Sequence, residues 1–332
     1  MGILTTASII FLIAITVAEK PSTVQLRVGR PESPAVTVEK PAGTGSAGAQ
    51  AQTKKLRVGT WNLRDCAATD KAGERVSFHN SIAGAIKDAG VDIIVLEEVQ
   101  VDSKKGGDIA LLSVALAEAG WAMPYVCSID PAGEDDLAIF SKYPIRSSGE
   151  FTEPSGSDQW PRPGISASIE VDGARLDVFG FHFKAMSDHG SEAERRAQAS
   201  AVARELEARY GSELSTAAIV LAGDFNTTNS GELLPKNSTM SILSMKGDTN
   251  PRNDFLDVNY RFLPQEPTFI DNHYRSVLDH ILVSPALARS VNKDSVKIVP
   301  PPDGPEDIPV SDHRMVVVDL RLPDVGGGAS KP

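Results

Sequence analysis

Cysteine is nearly absent from the 332-residue chain, and two residues, Cys66 and Cys127, exclude both a disulfide framework and a cysteine-rich zinc site. Whether those two pair is left open by sequence, because a bridge requires a Cα separation that only the fold sets. Positive charge is in deficit: 33 Lys and Arg stand against 44 Asp and Glu, a net charge of −11. Residues 1–54 carry five Lys/Arg and three Glu, a net +2, so the remainder carries −13. That balance argues against a DNA reader built on many phosphate contacts. It suits carboxylates gathered around a cation, and it leaves room for a nuclease that meets phosphate locally. Composition is otherwise ordinary, at 41% hydrophobic and 23% charged, which excludes wholesale disorder, collagen and coiled coil.

The uncharged apolar run Ile3–Ala18 is short of the about 20 residues a bilayer span needs. It reads as the h-region of a secretory signal over residues 1–18, with Thr16-Val17-Ala18 at the cleavage site; uncleaved, it is an N-terminal anchor. The expected location is therefore secreted or periplasmic, with membrane contact only if that segment is retained. Residues 19–54 are rich in Pro, Ala and Gly with few large apolar side chains, and read as a disordered linker. Leu-Arg-Val-Gly occurs at Leu26–Gly29 and again at Leu56–Gly59, and only the second copy leads into an ordered pattern. One domain is expected over 55–323, followed by a flexible tail at 324–332.

Within that domain, strand-like runs fall at Leu56–Leu63, Val91–Val99, Tyr125–Ser128, Asp136–Ser141, Ile165–Val171, Leu176–Phe183, Ala217–Phe225, Ser276–Val283 and Met315–Leu322. Helical spacing marks Ser77–Ala89, Ile109–Ala119 and Glu192–Tyr210. Strands in clusters with helices between them imply two sheets faced by helices, an α/β sandwich. The segment Thr227–Glu266 is polar and poorly periodic, and reads as a long loop.

Several strands end in polar residues that a simple core does not need. Asn62 closes the first strand and Glu97-Glu98 the second; if parallel neighbours, the two bring an amide and a carboxylate to one sheet edge. Asp224 and Asn226 flank Phe225 and, in an extended strand, share a face. Asp279 lies in the apolar run Val277–Leu282, where a carboxylate needs a cation or a histidine to orient. His182 sits between Phe181 and Phe183, a setting in which a histidine is commonly a satisfied core residue, and Asp312-His313 opens the last strand. Oxygen ligands of this kind suit Mg²⁺, with Mn²⁺ or Ca²⁺ as alternatives, rather than zinc. Arg64, two residues past Asn62, is a candidate phosphate contact or else a surface arginine paired with Asp65 or Asp70. Arg195-Arg196 reads as a solvated helix face paired with Glu192 or Glu194.

Thr60-Trp61-Asn62, Leu96-Glu97-Glu98-Val99, Ala138–Ile145, Phe181-His182, Gly223-Asp224-Phe225-Asn226, Leu278-Asp279-His280-Ile281 and Ser311-Asp312-His313 follow one another in this order. The set resembles the endonuclease/exonuclease/phosphatase superfamily over about Leu56–Leu322. The resemblance implies a four-layered α/β/β/α sandwich, deoxyribonuclease I-like, and metal-dependent phosphoester hydrolysis. By similarity, Glu98, Asn62 and Asp312 form the metal environment and His313, oriented by Asp279, is the base. Asp224 and Asn226 position the water, His182 contacts the phosphate or assists the leaving group, and either Asp224 or His313 takes the water's proton. Two positions depart from the family pattern: Glu97 stands where glutamine is usual, and Gly180-Phe181 where Asn-Thr is common. The export signal and the run Phe181–Ala185 are similar to extracellular bacterial nucleases, so an endonuclease acting on DNA or RNA is expected, with nucleic acid as its partner and no obligate protein partner. The alternatives are a phosphatase or phosphodiesterase for lipid, inositol or sugar phosphates, and a binding module that has lost catalysis.

Overall fold

The computed structural model describes residues 26–27, 55–67, 72–100, 107–130, 136–152, 162–246 and 249–322. The apolar run Ile3–Ala18, most of the Pro-rich stretch and the tail 324–332 lie outside the described residues. Among the described residues no helix is long and apolar enough to cross a membrane.

Two mixed sheets pack face to face. The larger runs Leu26–Arg27, Tyr125–Ile129, Leu137–Ser141, Ile93–Glu97, Lys55–Asn62, Met315–Arg321 and Lys297–Val299 in spatial order. The smaller runs Leu256–Asp257, Asp279–Val283, Ile219–Asp224, Ala174–His182, Gly164–Val171 and Ile145–Phe151. In each, one central pair is parallel: Lys55–Asn62 with Ile93–Glu97, and Ala174–His182 with Ile219–Asp224. A parallel pair requires a crossover, and helices Ala72–Ala89 and His189–Tyr210 supply the two.

Three apolar layers follow from strand alternation. Residues of one parity, among them Leu56, Val58, Ile93, Val95, Leu176, Val178, Val220, Ala222, Ile281 and Val283, fill the space between the sheets. The opposite parity in the larger sheet, with Trp61, Ile94 and Leu96, packs on the helices Ala72–Ala89 and Asp108–Glu118. In the smaller sheet, Phe179, Phe181 and Leu221 pack on His189–Tyr210 and Thr239–Leu243. Each fully buried Val, Leu or Ile contributes about 1.5–3 kcal/mol, so this layering is the main source of stability. The α/β/β/α order agrees with the sequence expectation.

Three features depart from it. Ile145–Phe151 is a strand that its sequence conceals, because only Phe151 of the seven is buried and the pairing is made by main chain to Gly164–Val171. Thr227–Glu266 is not a plain loop: its short helices Ser230–Leu233, Thr239–Leu243 and Val258–Phe262 bury Met240, Leu243 and Val258. Leu26–Arg27, within the stretch read as a linker, pairs with Tyr125–Val126 at the sheet edge. The two cysteines are free, Cys127 between the sheets and Cys66 under the helices.

The sheets approach closely at Gly180, where an added Cβ would lie 2.6 Å from Val95 Cγ1 and 2.7 Å from Ile165 Cγ2. Gly180→Ala is therefore expected to cost about 1–3 kcal/mol through overpacking. The check is a lower thermal midpoint with unchanged secondary structure; an unchanged midpoint would remove the claim of close approach.

Candidate active site

The polar residues of the site are the ends of the inward-facing rows. Leu56, Val58 and Thr60 lead to Asn62; Ile93 and Val95 lead to Glu97; Leu176, Val178 and Gly180 lead to His182; Val220 and Ala222 lead to Asp224. Asp279 begins the row that Ile281 and Val283 continue. Because the parallel pairs are in register, Asn62 stands beside Glu97 and His182 beside Asp224, and the antiparallel neighbour brings Asp279 beside Asp224. Local backbone completes the aim. Gly223 has φ +145, and a Cβ there would lie 1.9 Å from Phe181 O, so only glycine fits before Asp224. Glu98 leaves its strand with φ 54, turning its carboxylate to the same rim as Asn62.

Asn62 Nδ2 donates to Glu98 Oε1 at 2.8 Å and to Asp224 Oδ2 at 3.1 Å, bracketing one carboxylate from each sheet. Its Oδ1 accepts the Arg64 N–H at 2.8 Å. Asp224 Oδ2 also lies 3.7 Å from His182 Nε2 and 3.8 Å from His313 Nε2, while its Oδ1 accepts the Asn226 N–H at 2.8 Å. Asp279 receives His313 Nδ1 at 2.9 Å and 3.1 Å, and is itself positioned by its N–H, which donates to Thr268 Oγ1. Its neighbour His280 faces away, held between Asp257 and Thr227.

Burial and charge set the protonation states. Burial disfavours a charged His313, yet Asp279, Asp224 and Asp312 outweigh it and lift the imidazole to about 10. Burial, then Arg162 and His313, push His182 well below the usual range, so it is neutral. Burial and the facing Asp279 raise Asp224 to about 7, against the opposing pull of His313. Glu97 is held well above the usual carboxylate range by burial and by Asp279; its Oε1 accepts Thr60 Oγ1 at 2.7 Å. A neutral Glu97 has the shape and charge of the glutamine usual at that position, which accounts for the departure from the family pattern.

The structure thus brings together Asn62, Glu98, His182, Asp224, Asn226, Asp279, Asp312 and His313. Three placements differ from the sequence reading. Arg64 does not continue an extended strand: it opens a left-handed turn with φ 48 and lies 3.5 Å from Asp312, while Asp70 is outside the described residues. Asn226 lies past the strand end with φ 51, and its Nδ2 donates to Phe183 O at 3.1 Å. Arg195 is not solvated but fully buried, forked onto Glu232 at 2.7 Å and 2.8 Å and onto the carbonyls of Lys184 and Met186, whereas Arg196 pairs with Glu192 as expected. That fork ties the crossover helix to the segment leaving His182.

Three supporting residues carried no role in the sequence reading. Ser311 Oγ donates to Asn62 O at 2.7 Å and accepts the His313 N–H at 2.9 Å, coupling the two ends of the domain. Its signal was adjacency to Asp312-His313. Thr268 and Arg162 had no signal, since neither lies in a periodic run.

Glu98 and Asp312 are the carboxylates with solvent access, 22% and 24% exposed, beside a buried Asp224 whose proton affinity burial and Asp279 raise. An all-oxygen rim of this kind fits a hard divalent cation. Glu98 and Asp312 would hold it, with Asn62 and Asp224 adjacent.

A family model for the endonuclease/exonuclease/phosphatase family matches residues 59–313, and the chain belongs to that family of phosphoester hydrolases, whose members are typically dependent on a divalent metal. Among solved structures, the endonuclease/exonuclease/phosphatase from Beutenbergia cavernae is 20% identical, with a TM-score of 0.57 over 81% of this chain and 72% of that one. The 3′ phosphatase NExo from Neisseria, bound to a product DNA hairpin, is 19% identical, with a TM-score of 0.55 over 80% and 100%. TDP2 from D. rerio, complexed with a single-strand DNA product, is 15% identical, with a TM-score of 0.56 over 81% and 99%. These likenesses establish the shared fold. A search of curated proteins finds no match.

Asp224 yields a stability prediction for the metal-free protein. Its proton affinity is raised from 3.8 to about 7 on folding, so its contribution is fully present below 3.8 and is lost as pH rises through about 7. In chelator, the thermal midpoint of the wild type minus that of Asp224→Asn is expected to fall across that window. A difference that is flat or rises with pH would refute the assignment.

Proposed function

We propose that this member of the endonuclease/exonuclease/phosphatase family is an exported, Mg²⁺-dependent endonuclease that hydrolyses phosphodiester bonds of DNA. The observation that carries the reading is the convergence on Asp224 Oδ2 of Asn62 Nδ2, His182 Nε2 and His313 Nε2, all within 3.8 Å. Acid, amide and two imidazoles at one point can orient a water for in-line attack and receive the charge that develops on phosphorus.

Of the two candidates for base, Asp224 fits better. His313 keeps its proton to about 10, whereas Asp224 titrates at about 7, near a working pH. Asp224 accepts the proton of the attacking water, while the His313 imidazolium, fixed by Asp279, donates a charge-assisted hydrogen bond to a phosphoryl oxygen. Neutral His182 donates to a second phosphoryl oxygen, and Asn62 holds the geometry between Glu98 and Asp224. Mg²⁺ at Glu98 and Asp312 would supply Lewis-acid neutralisation of the phosphoryl charge.

Nucleic acid is favoured as substrate by the rim. A two-stranded hairpin, Phe269–Ile270 with Arg275–Ser276, bridges to His313 through Phe269, whose ring lies 5.0 Å from the imidazole. The hairpin turn presents Tyr274, 66% exposed, beside His273. An exposed aromatic next to the site provides a stacking platform for a base, worth about 1–3 kcal/mol. Arg64, 63% exposed at the same rim, meets a phosphate. NExo and TDP2, which share the fold, were solved with DNA products. Export rests on the apolar run Ile3–Ala18.

Supercoiled plasmid with Mg²⁺ is expected to be nicked and then degraded, with the activity lost in chelator. Asp224→Asn and His313→Ala should each lower kcat by about 10²–10⁴. Tyr274→Ala should raise KM for DNA and leave hydrolysis of a small aryl phosphodiester unchanged. Intact plasmid under conditions where lipid or sugar phosphates are cleaved would overturn the nuclease assignment.

A further inference from the structure

Two groups of three potential ligands occur among the described residues, and one of them, Asp224, Asp279 and His313, belongs to the phosphoester site. The other is Cys66, His79 and Asp108, brought together from the turn after the first strand, from helix Ala72–Ala89 and from the first residue of helix Asp108–Glu118. We propose that these three side chains form a second metal site, separate from the catalytic rim and selective for a borderline transition-metal ion such as Zn²⁺.

The placement of the three donor atoms carries the argument. His79 Nδ1 lies 2.6 Å from the Arg75 carbonyl one turn earlier in its helix. A carbonyl only accepts, so Nδ1 bears a proton and Nε2 is the ring nitrogen left to reach a metal ion. Nε2 lies 3.1 Å from Asp108 Oδ1, to which it donates in the metal-free protein, and 3.5 Å from Cys66 Sγ, separations that ligands sharing one tetrahedral ion also have. Nitrogen, carboxylate oxygen and sulfur, all within 4.8 Å of one another, therefore lie within reach of one cation. A ring whose far N–H is tied to a backbone carbonyl is the usual arrangement of a metal-bound histidine. The carboxylate is oriented in the same way. Asp108 Oδ2 accepts the Gln100 N–H at 2.9 Å, and Arg75 donates to Oδ1.

The donor set decides the metal. One sulfur, one nitrogen and one oxygen match Zn²⁺ or Co²⁺ and disfavour Mg²⁺ or Ca²⁺, which take oxygen. The site is distinct in chemistry from the all-oxygen rim of Glu98 and Asp312. Coordination displaces the Cys66 Sγ proton and the His79 Nε2 proton to solvent, so one S–H and one N–H bond break as the S–metal and N–metal bonds form. The ion would join the Arg64–Ala67 turn, one residue past Asn62, to both helices of its layer.

The test uses the full chain, stripped with chelator and titrated with Co²⁺. Expected is an intense thiolate-to-cobalt charge-transfer band that saturates at one equivalent, is abolished in Cys66→Ser, is weakened or shifted in His79→Ala and is unchanged in Cys127→Ser. The band should persist in Glu98→Gln, which separates this site from the catalytic one and leaves its outcome independent of the nuclease assignment. A wild-type protein without the band, or a band that survives Cys66→Ser, overturns the proposal and leaves the cluster as a hydrogen-bonded contact between the two helices.

Discussion

Asp224 is a carboxylate placed where no isolated carboxylate would be stable, and the rest of the site is arranged around that fact. It is 2% exposed, faces Asp279 on the adjacent strand and meets Asn62 from the opposite sheet. Its charge is tolerated because an amide, a backbone N–H and a cationic imidazole all point at it. Each of those groups is in turn fixed from elsewhere: Asn62 through Arg64 N and Ser311, and His313 through Asp279 and Ser311. A buried polar network is stable only when its members satisfy one another, so the precision of the site and its energetic cost have one origin.

The same logic separates the acids by function. Glu97 and Glu98 are consecutive, yet one is fully buried and neutral while the other reaches solvent. Strand parity sends Glu97 inward, and the left-handed backbone of Glu98 swings the next carboxylate to the rim. Neighbours in sequence thus become a buried acid and a carboxylate at the solvent-facing rim. Asp279 and Asp312 divide similarly, the first orienting His313 from within and the second facing water and Arg64.

Much of this was legible in the sequence because strand alternation has a fixed period. The inward rows can be read directly from Leu56-Val58-Thr60-Asn62 or Val220-Ala222-Asp224, and their polar ends mark the site. Which strands pair was not legible from the pattern, and neither was Ile145–Phe151, whose edge position removes the apolar signal. Arg195 was misread because its pairing partner, Glu232, lies beyond the helix, in a segment without periodicity. Thr268 acts through one hydroxyl on two backbone N–H groups, which no sequence pattern encodes.

Dependence on parity also governs how the chain can change length. Inserting or deleting one residue inside Lys55–Asn62, Ala174–His182 or Ile219–Asp224 would reverse every side chain beyond it and turn the terminal amide, imidazole or carboxylate toward a helix layer. Indels are thereby confined to the connections between these strands, where extra residues leave the facing of each row untouched. Relatives that diverge in size are then free to elaborate the rim, and with it substrate preference, while the residue count of each inward row stays constant.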